Sequence, residues 1–288
     1  AVSLWVVGFD GFDAVAHAMT TIATGGFSTS DGSIGGFANP AAEGIVTLFM
    51  IIGGLPFVLY LQAVRGDLGV LFRDSQVRWF LILVIACIVV LGVWYHLTTG
   101  TPLGQSYREV SFNVVSIITG TGYTSADYGH WGAFAVGVFF FLMFVGGCAG
   151  STTCGIKVFR FQVLYATAEA QIHRLVQPHG VYVPHFNKQP ITEEIAGSVM
   201  GFFFLFVISF AAIALALGAI GLDFITAVSG AATAICNVGP ALGETIGPSG
   251  TFASLPDAAK WVLSAGMLLG RLELFTVMVM FAPSFWRG

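Results

Sequence analysis

The sequence predicts an all-α integral membrane protein built from repeated units, each a spanning helix, a short re-entrant helix, a glycine loop and a second spanning helix. Three observations predict it. Of 288 residues, 56% are hydrophobic and 9% charged, with a mean hydropathy of +0.86, whereas a soluble domain carries roughly 25% charged residues. Apolar segments long enough to cross a bilayer alternate with apolar segments too short to do so. Each short segment runs directly into glycines, and glycine totals 37 residues, about twice the usual ~7% share.

Spanning segments are expected at about 41–64, 79–97, 131–171, 195–217 and 258–281, which makes five crossings. The third is interrupted at 146–155 by "GGCAGSTTCG". Between the crossings lie "FDAVAHAMTTIA", "YREVSFNVVSII" and "FITAVSGAATAI", of a length that suggests re-entrant helices. The opening "AVSLWVVGF" is too short to cross. It lacks the basic start and cleavage site of a signal peptide, and the chain begins at Ala1, so it reads as part of a longer protein. Arg65, Arg73 and Arg78, then Lys157, Arg160, Arg174 and Lys188, then Arg287 put 8 of the 11 basic residues on one side. The positive-inside rule makes that side cytoplasmic, C-terminus included, and puts the short helices on the other.

Several classes of function are disfavoured. A net charge of −4 without a basic stripe argues against a nucleic-acid partner. Cys87, Cys148, Cys154 and Cys236 form no CxxC pair, so neither a disulfide framework nor a zinc site is expected. His173, His179 and His185 recur every six residues, matching no known ligand spacing, and read as a solvated connector. Ser151 has no GxSxG around it and no expected His or Lys base beside it, which disfavours a hydrolase. The chain is read as no enzyme and as holding no cofactor.

The glycine stretches form a repeat. "ATGGFST", "TGTGYTS" and "CNVGPAL" align on Gly26, Gly122 and Gly239, 96 and 117 residues apart. Irregular backbone at membrane depth is tolerated only where it faces protein or a water-filled path. Glycine admits the dihedrals that let successive carbonyls point toward one axis, rings of carbonyls replace a cation's hydration shell, and the short helix aims its negative C-terminal dipole at the same point. Glycines also serve close helix packing. Three matched loops after three matched helices favour a cation pathway over packing alone.

"HAMTTIATGGFSTSDGSIGGF", "SIITGTGYTSADYGHWGAF", "GGCAGSTTCGIKVFRF", "CNVGPALG" and "GRLELFTVMVMFAPSFW" together resemble the TrkH family, the membrane subunits of bacterial Trk potassium-uptake systems, in the superfamily that includes Ktr and HKT transporters. The resemblance implies helix–pore-loop–helix units arranged pseudo-fourfold around a potassium pathway, of which this chain holds the C-terminal three-quarters or so, the first unit being absent. Residues 1–75 then hold the end of the first helix, the pore loop and the second helix of unit two. Residues 76–190 are unit three with a broken second helix, and residues 191–288 are unit four. The implied selectivity filter comprises Thr24, Gly25, Gly26 and Phe27; Thr119, Gly120, Thr121, Gly122 and Tyr123; and Asn237, Val238, Gly239 and Pro240. Potassium is implied at Thr24, Gly25, Gly120, Thr121, Asn237 and Val238.

By the same resemblance the interruption at 146–155 is an intramembrane gating loop, with Gly146, Gly147, Gly150, Ser151, Thr152 and Gly155 as gating positions. Where family members often read "GSTGGGIK", this chain reads "GSTTCGIK", so Thr153 and Cys154 stand in place of glycines. Arg271 is also implied in gating. It is expected about fourteen residues into the last spanning helix, roughly 20 Å along it, where arginine costs ~2.5–3.5 kcal/mol unless it faces a pathway. A structural ion pair with Glu273 is the competing role. Lys157 reads as a helix-end residue at the cytoplasmic boundary. The resemblance further implies the bacterial cytoplasmic (inner) membrane with its lipid, multi-pass, a homodimer, and a cytosolic nucleotide-binding ring like TrkA, since the chain has no nucleotide fingerprint of its own. An alternating-access, ion-coupled transporter (symport) of sodium or potassium is the alternative. It would favour inverted repeats, whereas these units share one orientation.

Overall fold

Five of the helices begin where an Asp, Asn or Thr side chain takes up free backbone N–H groups, and apolar runs break where glycine or proline interrupts them. The computed structural model describes all residues except 68, 188, 273, 282, 287 and 288. In chain order the helices are α1 (Val2–Val6), α2 (Gly11–Ile22), α3 (Pro40–Gly53), α4 (Phe57–Val64), α5 (Val70–Arg73), α6 (Ser75–Thr99), α7 (Leu103–Ile118), α8 (Ala133–Phe144) and α9 (Val158–Val176). A two-stranded hairpin, β1 (His185–Phe186) and β2 (Gln189–Pro190), precedes α10 (Glu193–Ala219), α11 (Phe224–Cys236), α12 (Asp257–Arg271), α13 (Leu274–Phe281) and α14 (Pro283–Trp286). Asn39 caps α3 ahead of Pro40, Asp74 caps α6, and Asp223 caps α11.

The long helices α6 and α10 have a mean hydropathy of 2.6, yet only 22% and 28% of their apolar windows lie inside the protein. Their outer faces are the surface a bilayer covers. The short helices α7 and α11 are buried on every side in their last turns: every residue from Phe112 to Ile118 and from Ser229 to Cys236 is buried. Short apolar helices enclosed by longer, outward-facing ones are the layout of pore-loop units. Phe139 stacks on Tyr128 at 4.1 Å, and Trp131 on Tyr95 at 4.4 Å, packing the link between α7 and α8.

Two expected crossings are not straight helices. The segment 41–64 divides into α3 and α4, bent by 94°, because Pro56 has no N–H to give and Gly53 and Gly54 end the first piece. The carbonyls so freed are used, since Gly54 O accepts from Cys148 N at 3.0 Å and Gly53 O from Thr152 N at 3.3 Å. The segment 258–281 divides after Arg271, and α12 and α13 meet at 110°. Arg271 is thus the last residue of α12, not a mid-helix residue. The third crossing breaks where expected: α8 has only 12 residues, about 18 Å at 1.5 Å each.

His173, expected in a connector, lies instead in the last turn of α9 and stacks on Tyr182 of the stretch that follows; among the described residues no metal-binding group of residues occurs. All four cysteines are free. Lys188, Glu273 and Arg287 lie outside the described residues, and with them the Arg271–Glu273 pair that was the competing role for the arginine.

Candidate functional site

The helices α2, α7 and α11 end in the same turn. Thr24, Gly120 and Asn237 donate their N–H to the carbonyl three residues back, at 3.1, 2.9 and 3.2 Å. The next residues, Gly25, Thr121 and Val238, donate five residues back, to Thr20, Ser116 and Thr233, at 2.7, 2.9 and 3.1 Å. Backbone φ is positive at alternate positions in all three loops: 48° and 67° at Thr24 and Gly26, 63° and 85° at Gly120 and Gly122, 53° and 111° at Asn237 and Gly239. Alternating hands turn successive carbonyls toward one side. Thr24 holds this conformation without being glycine, an outlier for a β-branched residue of the kind that accumulates at functional sites.

The loops abut one another. A Cβ on Gly26 would lie 1.8 Å from the Thr121 carbonyl oxygen, and one on Gly122 would lie 2.2 Å from that of Val238. Thr24, Gly25, Gly26, Phe27, Thr121, Gly122, Asn237, Val238 and Gly239 line one cavity of about 520 Å³. The other expected loop residues, Thr119, Gly120, Tyr123 and Pro240, are not among those lining this cavity; the first three are buried and Pro240 is half-buried. Tyr123 reaches across to the first loop, its hydroxyl 2.5 Å from Thr20 Oγ1 and donating to Phe27 O at 3.3 Å.

A set of supporting hydroxyls was not foreseen from the sequence. Thr20 Oγ1 lies 3.0 Å from Phe27 O, Ser116 Oγ donates to Tyr123 O at 2.6 Å, and Thr233 Oγ1 accepts from Gly239 N at 2.9 Å. They stand at the same 96- and 117-residue intervals as the glycines, so carrying the repeat back six residues reveals them. The buried His17 gives its Nδ1 proton to Asp13 O at 2.8 Å, which leaves Nε2 to accept from Ser28 at 2.9 Å and tethers the first loop from behind.

Residues 146–155 lie against this assembly. The segment is pinned at its neck by a parallel bridge between Val145 and Ile156, with Gly146 N donating to Ile156 O at 2.9 Å. Its tip is held by Gly53, Gly54 and Gln76, and Thr152 Oγ1 reaches the end of α2 at Ile22 O, 3.1 Å away. Gly150 and Gly155 take positive φ, and a Cβ on Gly146 or Gly147 would strike Cys154 O or Gly54 O. Arg271 Nη1 lies 2.7 Å from Cys154 Sγ and 3.5 Å from Thr152 O. Cys154 and Arg271 line the loop-lined cavity and also a second one of about 250 Å³, which adds Ser151, Thr153 and Lys157. Segment and arginine therefore form the partition between two cavities.

Lys157 departs from its expected role. It does cap α9, but its ammonium folds back to Thr153 O, to Thr153 Oγ1 at 3.0 Å and to Ser151 Oγ at 3.5 Å. A lysine therefore does stand beside Ser151, contrary to expectation. The serine is still no poised nucleophile, because its hydroxyl donates to Cys148 O at 2.6 Å.

Three short helices, two of them enclosed by longer apolar ones, each end in a left-handed loop on one shared cavity, and this arrangement defines a pore-loop membrane protein. The comparison with known sequences narrows that class: the TrkH family model, described as cation transport protein, matches residues 3–287, and the chain belongs to this family. It is 51% identical over 288 residues to the Trk system potassium uptake protein TrkI of Halomonas elongata, covering 100% of this chain and 58% of that protein. It is 38% identical over 292 residues to the Trk system potassium uptake protein TrkH of Escherichia coli K12, covering 100% and 59%. The crystal structure of the potassium transporter TrkH from Vibrio parahaemolyticus matches with a TM-score of 0.92 at 34% identity, covering 99% of this chain and 61% of that one. The chain thus spans about three-fifths of the length of these relatives, a smaller share than the three-quarters its motifs implied.

Proposed function

We propose that this chain lines a potassium-uptake pathway through the bacterial cytoplasmic membrane, with potassium as transported substrate and no covalent chemistry. The observation that carries this reading is the three-fold recurrence of one alternating left-handed turn on a single cavity. In this reading residues 24–27, 119–123 and 237–240 form the filter, with potassium at Thr24, Gly25, Gly120, Thr121, Asn237 and Val238. The differences among the three loops suit a filter less symmetric than one built from identical chains. Residues 146–155 and Arg271 form the gate, the arginine opposing cation passage while the loop is seated. The units run 1–75, 76–190 and 191–288, with the C-terminus cytoplasmic.

Partners follow from the same reading: a second copy of the protein, membrane lipid, and a cytosolic nucleotide-binding ring like TrkA that moves the gate. The same orientation of all three loops supports a channel-like pathway over an alternating-access symporter, whose sites favour inverted repeats. Gly122→Asp tests the filter in the complete protein. Its side chain would have to occupy the place of Val238 O, so potassium uptake should fall at least tenfold while membrane insertion persists. Unchanged uptake and unchanged rubidium-over-sodium preference would remove Gly122 from the filter.

A further inference from the structure

Lysine is a poor choice for the start of a helix, where the macrodipole is positive, yet Lys157 caps α9. Its side chain turns away from the helix and into the 146–155 loop, where every polar contact it makes among the described residues is to a neutral oxygen. These are the Thr153 carbonyl, Thr153 Oγ1 at 3.0 Å and Ser151 Oγ at 3.5 Å. No carboxylate within ion-pair distance of it occurs among the described residues.

The hydroxyls are oriented to present lone pairs to a cation. Ser151 gives its proton to Cys148 O at 2.6 Å, so across the 2.8 Å Ser151–Thr153 contact it is Thr153 that donates. Thr153 Oγ1 then has two acceptor positions left, one taken by Gly147 N at 3.0 Å and the other by the ammonium. Thr153 is buried. A carbonyl and two hydroxyls around one positive charge are the ligand type that replaces the hydration shell of a monovalent cation. An alkylammonium is a compact point charge that such a set accepts. The next carbonyl back, Thr152 O, is approached by Arg271.

We propose that Ser151 and Thr153 form a binding site for a dehydrated monovalent cation, and that the Lys157 ammonium occupies it as a tethered substitute for the permeant ion, holding the loop shut. The proposal rests on the reading of residues 146–155 as the gate. Lys157 lines the second cavity and not the one bounded by the three loops, so it enters the site from the face away from them. Opening then requires the ammonium to leave, and a permeant cation passing the loop takes its oxygens in turn. Thr153, which stands where family members often have glycine, supplies one of those oxygens and seats the lysine more firmly in this chain.

The test uses the complete protein reconstituted in liposomes without a cytosolic partner, with rubidium flux measured per folded molecule. In Lys157→Met, flux should rise about tenfold, the shift expected when one charge-assisted hydrogen bond of the closed state is lost. Crystals of that variant soaked in thallium should show an anomalous peak within ligand distance of Thr153 O, and the parent protein should show none. Should Lys157→Met fail to fold, Thr153→Val removes the hydroxyl at nearly constant volume and should raise flux in the same direction. Unchanged flux in the folded lysine and threonine variants overturns the proposal, as does raised flux without thallium at Thr153 O. A loop-shortened protein lacking residues 147–153, run alongside, separates the two readings: if it too leaves flux unchanged, the gate itself is refuted.

Discussion

At the level of single residues, adjacent glycines of one loop differ sharply in what they tolerate. A Cβ on Gly25 would meet the Phe27 ring at 3.4 Å and Thr20 O at 3.7 Å, ordinary contacts, whereas one on Gly26 would sit 1.8 Å from Thr121 O at a positive φ. Gly25→Ala is therefore expected to keep at least about half of the parental uptake, and Gly26→Ala to lose most of it, through a strained backbone and a displaced neighbouring loop. Uptake assays at matched protein level decide this, and equal uptake in both would show that the loops do not depend on their mutual contact. Arg271 is a different case, because its position at the end of α12 sets a cation where the helix dipole is negative and so needs no acidic partner to be tolerated. Arg271→Ala should raise flux several-fold with little change in folded yield, and Arg271→Lys should keep most of the restriction. A fall in yield without a change in flux per molecule would make the residue purely structural.

Among elements, the bend between α3 and α4 and the break between α8 and α9 are one feature. Each would leave backbone groups unsatisfied in lipid, and they satisfy each other: Gly53 O and Gly54 O receive Thr152 N and Cys148 N, and Gly150 O receives Phe57 N at 3.0 Å. Removing residues 147–153 should open the partition between the two cavities and raise basal flux at least tenfold. It should also lower the melting temperature, because the α3–α4 carbonyls lose their donors. A shortened protein with parental flux and lowered stability would assign the loop a packing role alone. The supporting hydroxyls of Thr20, Ser116 and Thr233 act at the same level, fixing each loop to the helix that precedes it.

For the molecule as a whole, α3, which follows the first loop, and α7, which precedes the second, are joined by an ion pair as well as by loop contacts. Glu43 on α3 is buried and faces Arg108 on α7 at 3.3 Å, with Glu109 4.0 Å from the same guanidinium. Desolvation disfavours a lone charge at this depth. Glu43→Gln should therefore cost about 1–3 kcal/mol, measured as a lower unfolding temperature in detergent, and adding Arg108→Gln should recover part of it. Equal losses that simply add in the double variant would show that the two side chains are not coupled.

Local sequence determined the all-helical class, the ends of the three short helices and the place of the interruption at 146–155. Chain-local physics sets all three: apolar length, capping side chains and glycine content act over a few residues and repeat at intervals that can be counted. The neighbours of each loop were decided only by the tertiary structure. Sequence periodicity sees a continuous apolar run at 41–64 and cannot register that Gly53 and Gly54 give up helical hydrogen bonds to a segment about a hundred residues away. It sees Lys157 as a helix end, because the oxygens that hold the ammonium are arranged by a backbone reversal and not by helical spacing. It sees Arg271 in mid-helix, because the 110° turn that makes it a terminus depends on how α12 and α13 pack. Hydrogen bonds exchanged between distant broken helices carry no periodic signal in the chain, and the partition between the two cavities is made of them.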